Sequence, residues 1–233
     1  MAAVTRWLHF NESVGDQWVL PILAAANAAA EAKKVDPVDK GTLAVGLHIS
    51  TKLNILPRVF NRINQEAVAL YEAAKQHEPE HVFTKGKEGY AFQVDDDLKY
   101  NLIADIEAFL FEADATWGLM KRLVRHVYFV AGHKISDDDV RDVINKAHAR
   151  EGLDCGWVSL LDRDRNFVAH DGAGYLAIDI SDNDHWELLV MKDNVVEFDK
   201  PKKFFTLSDL MTVNRGFLIA KRVIQIDLIA LFK

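Results

Sequence analysis

A mainly α fold, a helical bundle carrying a small antiparallel β element before its last helix, is what the sequence predicts. Two observations carry this expectation. Apolar residues recur every three to four positions through several long stretches bounded by capping or breaking residues. Directly after Gly172 that period gives way to two short β-rich runs separated by turn residues. With 233 residues, 49% of them hydrophobic and 27% charged, the chain has enough apolar material for one large domain or two small ones.

The helices follow in order. Asp16 to Lys34 has helix-forming composition, with Val19, Leu20, Leu23 and Ala26 at helical spacing and Val35-Asp36-Pro37 as a stop. Asp39 to Asn54 is read as a separate helix, weakened by Gly41, Gly46 and the β-branched residues around Ile49 to Thr51. Pro57 suits the first position of the next helix, which extends to about His77 with Val59, Phe60, Ile63, Ala67, Leu70, Tyr71 and Ala74 on one stripe. Val82 to Asp97 reads as a connection with a short extended piece around Tyr90 to Val94. Asp95-Asp96-Asp97 is read as the acidic start of a long helix from Leu98 to about Ala131, ended by Gly132. Ser136-Asp137-Asp138-Asp139 caps another helix to about Arg150, and Trp157, Leu160, Leu161, Phe167 and Val168 supply the buried side of one that ends at His170.

Tyr175 to Ile180 and His185 to Met191 form the expected hairpin, with a possible third strand at Val195 to Phe198. Thr206-Leu207-Ser208-Asp209 caps a final helix to Leu231. Near its end Val223, Ile224, Ile226, Leu228, Ile229, Leu231 and Phe232 cover most of its circumference. Such a helix must be buried on more than one side, in the bundle or against a second copy, which suggests a homodimer.

Composition bounds function. A net charge of -7 argues against a protein that coats nucleic acid through bulk electrostatics, so any RNA contact must be local. Cys155 is the sole cysteine, which rules out an intramolecular disulfide and a cysteine-based metal site. It is read as a packing residue in a protein of the reducing cytoplasm. Met1 to Trp7 lacks the basic and apolar regions of a secretion signal. Trp18 to Ala30, interrupted by Pro21 and Asn27, is too short and weakly apolar for a membrane span. His77-Glu78-Pro79-Glu80-His81 matches the H-E-x-x-H zinc pattern, but Pro79 disrupts the continuous helix that such a site needs. No metal or other cofactor is expected.

The residues with most chemistry lie in Arg163-Asp164-Arg165-Asn166-Phe167-Val168-Ala169-His170. Asn166 and His170, four apart, share a helix face; Arg165 lies about 140° round from His170 and must reach back, and Arg163 falls nearly on the histidine's face. Arginine offers a planar fork of donors for phosphate oxygens, and histidine is suited to proton transfer near neutrality. Cations near a helix C-terminus are also favoured by the macrodipole, so a plain helix end explains the same residues. Spacing alone does not decide, since Arg163 to His170 and Arg141 to His148 have six residues between arginine and histidine; the second pair is read as exposed polar face.

Arg165-Asn166-Phe167-Val168-Ala169-His170 reads R-N-x-x-x-H and resembles the signature of the HEPN superfamily, helical proteins in which an arginine, a polar residue and a histidine cleave RNA. The resemblance covers mainly residues 98–233, a HEPN-like helical domain with the β element at about 174–198, and leaves 1–97 as a helical extension packed into the same bundle. It implies metal-independent RNA cleavage, with His170 transferring protons, Arg165 neutralising the phosphorane and Asn166 orienting the phosphate or the arginine. It further implies a homodimer that brings two motifs together, an acidic residue of a neighbouring helix (Asp105 or Glu112) supporting the motif, and a toxin–antitoxin or defence setting with a restraining protein partner. Arg163 and the patch Lys121, Arg122 and Arg125, which runs to His126, are candidate contacts for an RNA backbone, although a solvated helix end accounts for that patch too. Two other readings stay open: a non-catalytic HEPN-like dimer binding a nucleotide or protein, and a helical scaffold unrelated to that superfamily.

Overall fold

A computed structural model describes residues 16–76, 80–84, 87–91, 94–152, 154–171, 174–179, 185–191 and 203–233. Among the described residues six helices and five strands follow one another: α1 (Leu20–Glu31), α2 (Lys40–Gln76), β1 (Glu80–Thr84), β2 (Lys87–Ala91), α3 (Asp96–Val130), α4 (Asp137–Arg150), α5 (Gly156–Asp171), β3 (Tyr175–Asp179), β4 (Glu187–Met191), β5 (Phe204–Thr206) and α6 (Leu207–Ala230). The chain is thus mainly helical, with its three-stranded sheet between α5 and α6.

The frame is the pair of long helices α2 and α3, of 37 and 35 residues, each about 50 Å long. They run antiparallel. Lys52 of α2 pairs with Glu112 of α3, and ten residues on Arg62 pairs with Asp105. Ile49, Leu53, Leu56, Phe60 and Ile63 form the buried stripe of α2, and Phe60 meets Phe109 of α3 at a ring distance of 5.2 Å.

This continuous α2 corrects the expectation of two helices. Pro57 lies inside the helix, not at its first position. Proline lacks the N–H that would bond the Leu53 carbonyl, a cost of about 3 kcal/mol in a helix interior. An unbroken apolar stripe against α3, running through both sides of the proline, offsets that cost.

Asp95 starts α3 by accepting the Leu98 N–H, and Gly132 follows its end with φ +84°. The triple aspartate is therefore a helix start. Ser136 with Asp139 and Thr206 with Asp209 each form a reciprocal capping box at the starts of α4 and α6. α1 is fastened to α6, where the Trp18 indole N–H donates to the Lys221 carbonyl at 2.6 Å.

β1 and β2 pair as an antiparallel hairpin where a mostly irregular connection was expected. The three-stranded sheet has the order β3-β4-β5, all antiparallel. Its first two strands match the expected hairpin. The third is Phe204–Thr206; the expected strand at 195–198 lies outside the described residues. β4 is central, and Leu188, Val190 and Phe205 join the core that α1, α2, α3, α5 and α6 share. One core takes in residues on both sides of position 98.

On α6, Val223, Ile224 and Leu228 are buried by the bundle, while Met211, Leu218 and Ile226 remain more than half exposed. Among the described residues no helix is long and apolar enough to cross a membrane.

Candidate functional site

Aromatic packing at both ends fixes α5. At its N-terminal end the buried Trp157 ring lies edge-on to Trp117 of α3, with centroids 4.9 Å apart, and to Phe217 of α6 at 6.1 Å. Gly216 of α6 makes room for this indole: a Cβ there would lie 2.2 Å from Trp157 Cγ. At the other end Phe167 stands perpendicular to Phe205 of β5, with centroids 5.2 Å apart. The sheet therefore braces the end of α5 that carries His170.

Phe167 is buried, whereas Asn166 and His170, four apart and so on one face, are both exposed. Arg165 is half-buried. Its Nη2 and Nε donate to the same oxygen, Oδ2 of Asp114 on α3, at 3.1 and 3.3 Å, and its Nη1 donates to Asn166 Oδ1 at 2.7 Å. Two of the five N–H donors of a guanidinium are left for a ligand. The grip is a loose one. Asp114 engages through one oxygen rather than in a two-oxygen fork, and both side chains are about a third exposed, where such pairs contribute about 0–1 kcal/mol.

Asp114 is the acidic partner that sequence reasoning missed. The two residues considered for that part, Asp105 and Glu112, both face α2, where they pair with Arg62 and Lys52. They are seven apart and so share a face; Asp114 lies about 200° beyond Glu112, on the side facing α5. The periodicity of α3 places the two faces but does not say which neighbour covers which.

Arg163 is turned to a different task. Its Nε donates to Asp164 Oδ1 at 2.6 Å and its Nη2 to Asp209 Oδ2, in the capping box of α6, at 2.8 Å. This ties α5 to the start of α6, away from Arg165. Asp164 is 1% exposed, and its Oδ2 has no hydrogen-bond partner among the described residues. Burial pushes its carboxyl up to about 6, against the opposing pull of Arg163. A carboxyl raised in the folded state adds stability below its unfolded value of 3.8, and that stability is lost as pH rises through about 6. The stability of the parent relative to Asp164→Asn is therefore expected to fall by about 3 kcal/mol between pH 3.5 and pH 7, measured by urea unfolding at each pH. A pH-independent difference would contradict this assignment.

The other predicted cations line a cleft of about 640 Å³ between α3, α4 and the first half of α5. Lys121, Arg122 and Arg125 come from α3, and Arg141, read from sequence as plain polar face, joins them from α4. Arg125 is held by Asp137 at 2.7 Å and Arg141 lies 3.9 Å from Asp138. Among the described residues Lys121 and Arg122 have no acidic partner within ion-pair distance. Cys155 lines this cleft as well, with its thiol pushed up by burial and by the Asp154 charge.

Two histidines depart from their expected settings. His126 leaves the basic patch and faces α2, with Nδ1 3.1 Å from the Thr42 hydroxyl. That hydroxyl donates to Asp39 Oδ2 at 2.9 Å, and Asp39 accepts the Thr42 N–H at 2.8 Å. Because the acid contacts the hydroxyl and backbone rather than the histidine, the cluster is a cap on α2, not a nucleophile with an oriented base. His148 is not exposed: it is 1% accessible, with Nδ1 2.8 Å from the Ile144 carbonyl.

Of the H-E-x-x-H match, 77–79 lie outside the described residues, and His81 is in strand β1. The two histidines therefore cannot share a continuous helix. Among the described residues no group of three or more His, Cys, Asp and Glu is placed to hold a metal ion.

Set against protein-family models, curated proteins and solved structures, the chain matches none of them.

Proposed function

We propose that this chain is a metal-independent endoribonuclease of HEPN type, acting as a homodimer, with Arg165, Asn166 and His170 as its catalytic residues. The observation that supports it is the disposition of α5. Asn166 and His170 share an exposed face, and Arg165 is held beside them by Asp114 with two N–H donors to spare.

In this reading the 2′-hydroxyl oxygen attacks the adjacent phosphorus, the P–O5′ bond breaks, and the products carry a 2′,3′-cyclic phosphate and a 5′-hydroxyl. His170 accepts the 2′-hydroxyl proton or returns one to the leaving 5′-oxygen. The guanidinium of Arg165 neutralises the extra negative charge on the phosphorane oxygens, for which the weak Asp114 contact is exchanged. A second copy would supply the other histidine, so that one acts as base and the other as acid. The same reading places the chain in a toxin–antitoxin or defence system with a protein that restrains it.

One observation favours the alternative of a non-catalytic dimer that binds a nucleotide or protein: Arg165 already has a carboxylate and an amide as partners. End-group analysis separates the two. Incubated with single-stranded RNA in EDTA, the purified chain is expected to leave cyclic-phosphate and 5′-hydroxyl ends. Products bearing 3′-hydroxyl and 5′-phosphate ends, or intact RNA, would reject the nuclease.

A further inference from the structure

The α3–α4–α5 cleft and Arg165 belong to one side of the molecule. On α3, Lys121 is seven residues beyond Asp114 and so lies on the same face, about 10 Å along the axis. On α5, Val158 of the cleft wall is seven residues before Arg165, again on one face. From the cleft, then, α5 leads first to Arg165 and then to His170.

The cleft combines apolar, neutral polar and charged surface, its lining including the carboxylates Asp137, Asp138 and Asp162. Trp117, Val158 and Ile144 give it apolar walls, and Asn145 and Ser159 add neutral groups that both donate and accept. Lys121 and Arg122 bring positive charge that no acid within ion-pair distance neutralises among the described residues. A cleft of about 640 Å³ is within the range of small-ligand sites and larger than one nucleotide needs. Apolar walls for a base face, amide and hydroxyl groups for its edge, and two unpaired cations for phosphate are the parts of a nucleotide site. A duplex keeps its bases stacked inside, so only an unpaired nucleotide can enter a concave site between helices.

We infer that this cleft seats an unpaired nucleotide of the RNA strand, with Lys121 and Arg122 on its flanking phosphates, and delivers the strand along α5 to Arg165. The inference rests on the nuclease reading and gives it a substrate class: single-stranded RNA, held by a local basic site in an acidic protein. Arg141 is a third phosphate contact, available once the strand competes with its distant partner Asp138. Asp162, exposed on the cleft wall, opposes the strand.

The test is fluorescence anisotropy of the full chain with a labelled 2′-O-methyl RNA 12-mer, which lacks the attacking hydroxyl and cannot be cut. Lys121→Gln/Arg122→Gln is expected to weaken binding roughly 25-fold at 0.1 M salt and to flatten the slope of log affinity against log salt by about 1.4, the counterion release of two single-strand phosphate contacts. Asp162→Asn is expected to tighten binding, an effect that damaged folding cannot mimic. Competing duplex RNA of the same sequence should displace the strand poorly.

Unchanged affinity and salt slope in both variants would overturn the inference. So would a cleft that binds AMP or UMP with the same dependence on Lys121 and Arg122 while the 12-mer ignores both. Cleavage is read separately: a parent that binds the 12-mer through these residues but cuts no RNA would sink the nuclease reading and leave the strand site standing.

Discussion

Arg165→Ala is expected to lower RNA cleavage by about 10²- to 10³-fold in kcat, the usual loss when one donor to a developing oxyanion is removed. The fold should survive, because the side chain's bonds to Asp114 and Asn166 are partly exposed and lightly stabilising. Asp114→Asn tests whether the carboxylate acts only by orienting the guanidinium. If Asp114 only orients the guanidinium, the amide retains an acceptor oxygen and most activity. A merely structural Arg165 would instead give a variant with reduced thermal stability and parental turnover per folded molecule. Single-turnover kinetics beside a melting curve decides between them.

Gly216→Ala should give a large stability effect for so small a change. The added Cβ would stand 2.2 to 2.5 Å from three atoms of Trp157, and that indole is enclosed by Trp117 and Phe217. Overpacking of this kind costs about 3 kcal/mol, which for a chain of this length lowers the melting temperature by about 6–12 °C. Because Trp157 anchors the start of α5, activity should fall at temperatures below the melting transition. A shift of less than about 2 °C would mean that the indole has another place to go.

Features set by local chemistry were legible in the sequence. Asp95, Ser136 and Thr206 mark helix starts through side chains that reach only three residues ahead. The change of period after Gly172 marks β3 and β4. What tertiary packing decides was not legible. Pro57 has the local character of a helix start, and only the continuous stripe from Ile49 to Ile63 keeps the helix unbroken around it. β5 is three residues long, too short to show alternation, and exists through its pairing with β4. His148 looks polar in a run of charged residues, yet its ring is buried.

The candidate site divides in the same way. The linear spacing of Asn166 and His170 was enough to expect a shared face; that this face is exposed follows from how α5 packs. The choice of Asp114 over Asp105 and Glu112 depends on which side of α3 meets α5. The commitment of Arg163 to Asp164 and Asp209, and the meeting of Arg141 with Lys121 and Arg122 across a cleft, require three helices to be placed first.

The most direct test of the central claim compares the parent with His170→Ala on single-stranded RNA in EDTA, at matched concentration and with matched circular dichroism. His170 is exposed at the end of α5, so its loss should leave the fold intact. The account predicts cleavage by the parent and a loss of about 10²- to 10⁴-fold in the variant. Equal cleavage by both proteins, or none by either, would contradict it.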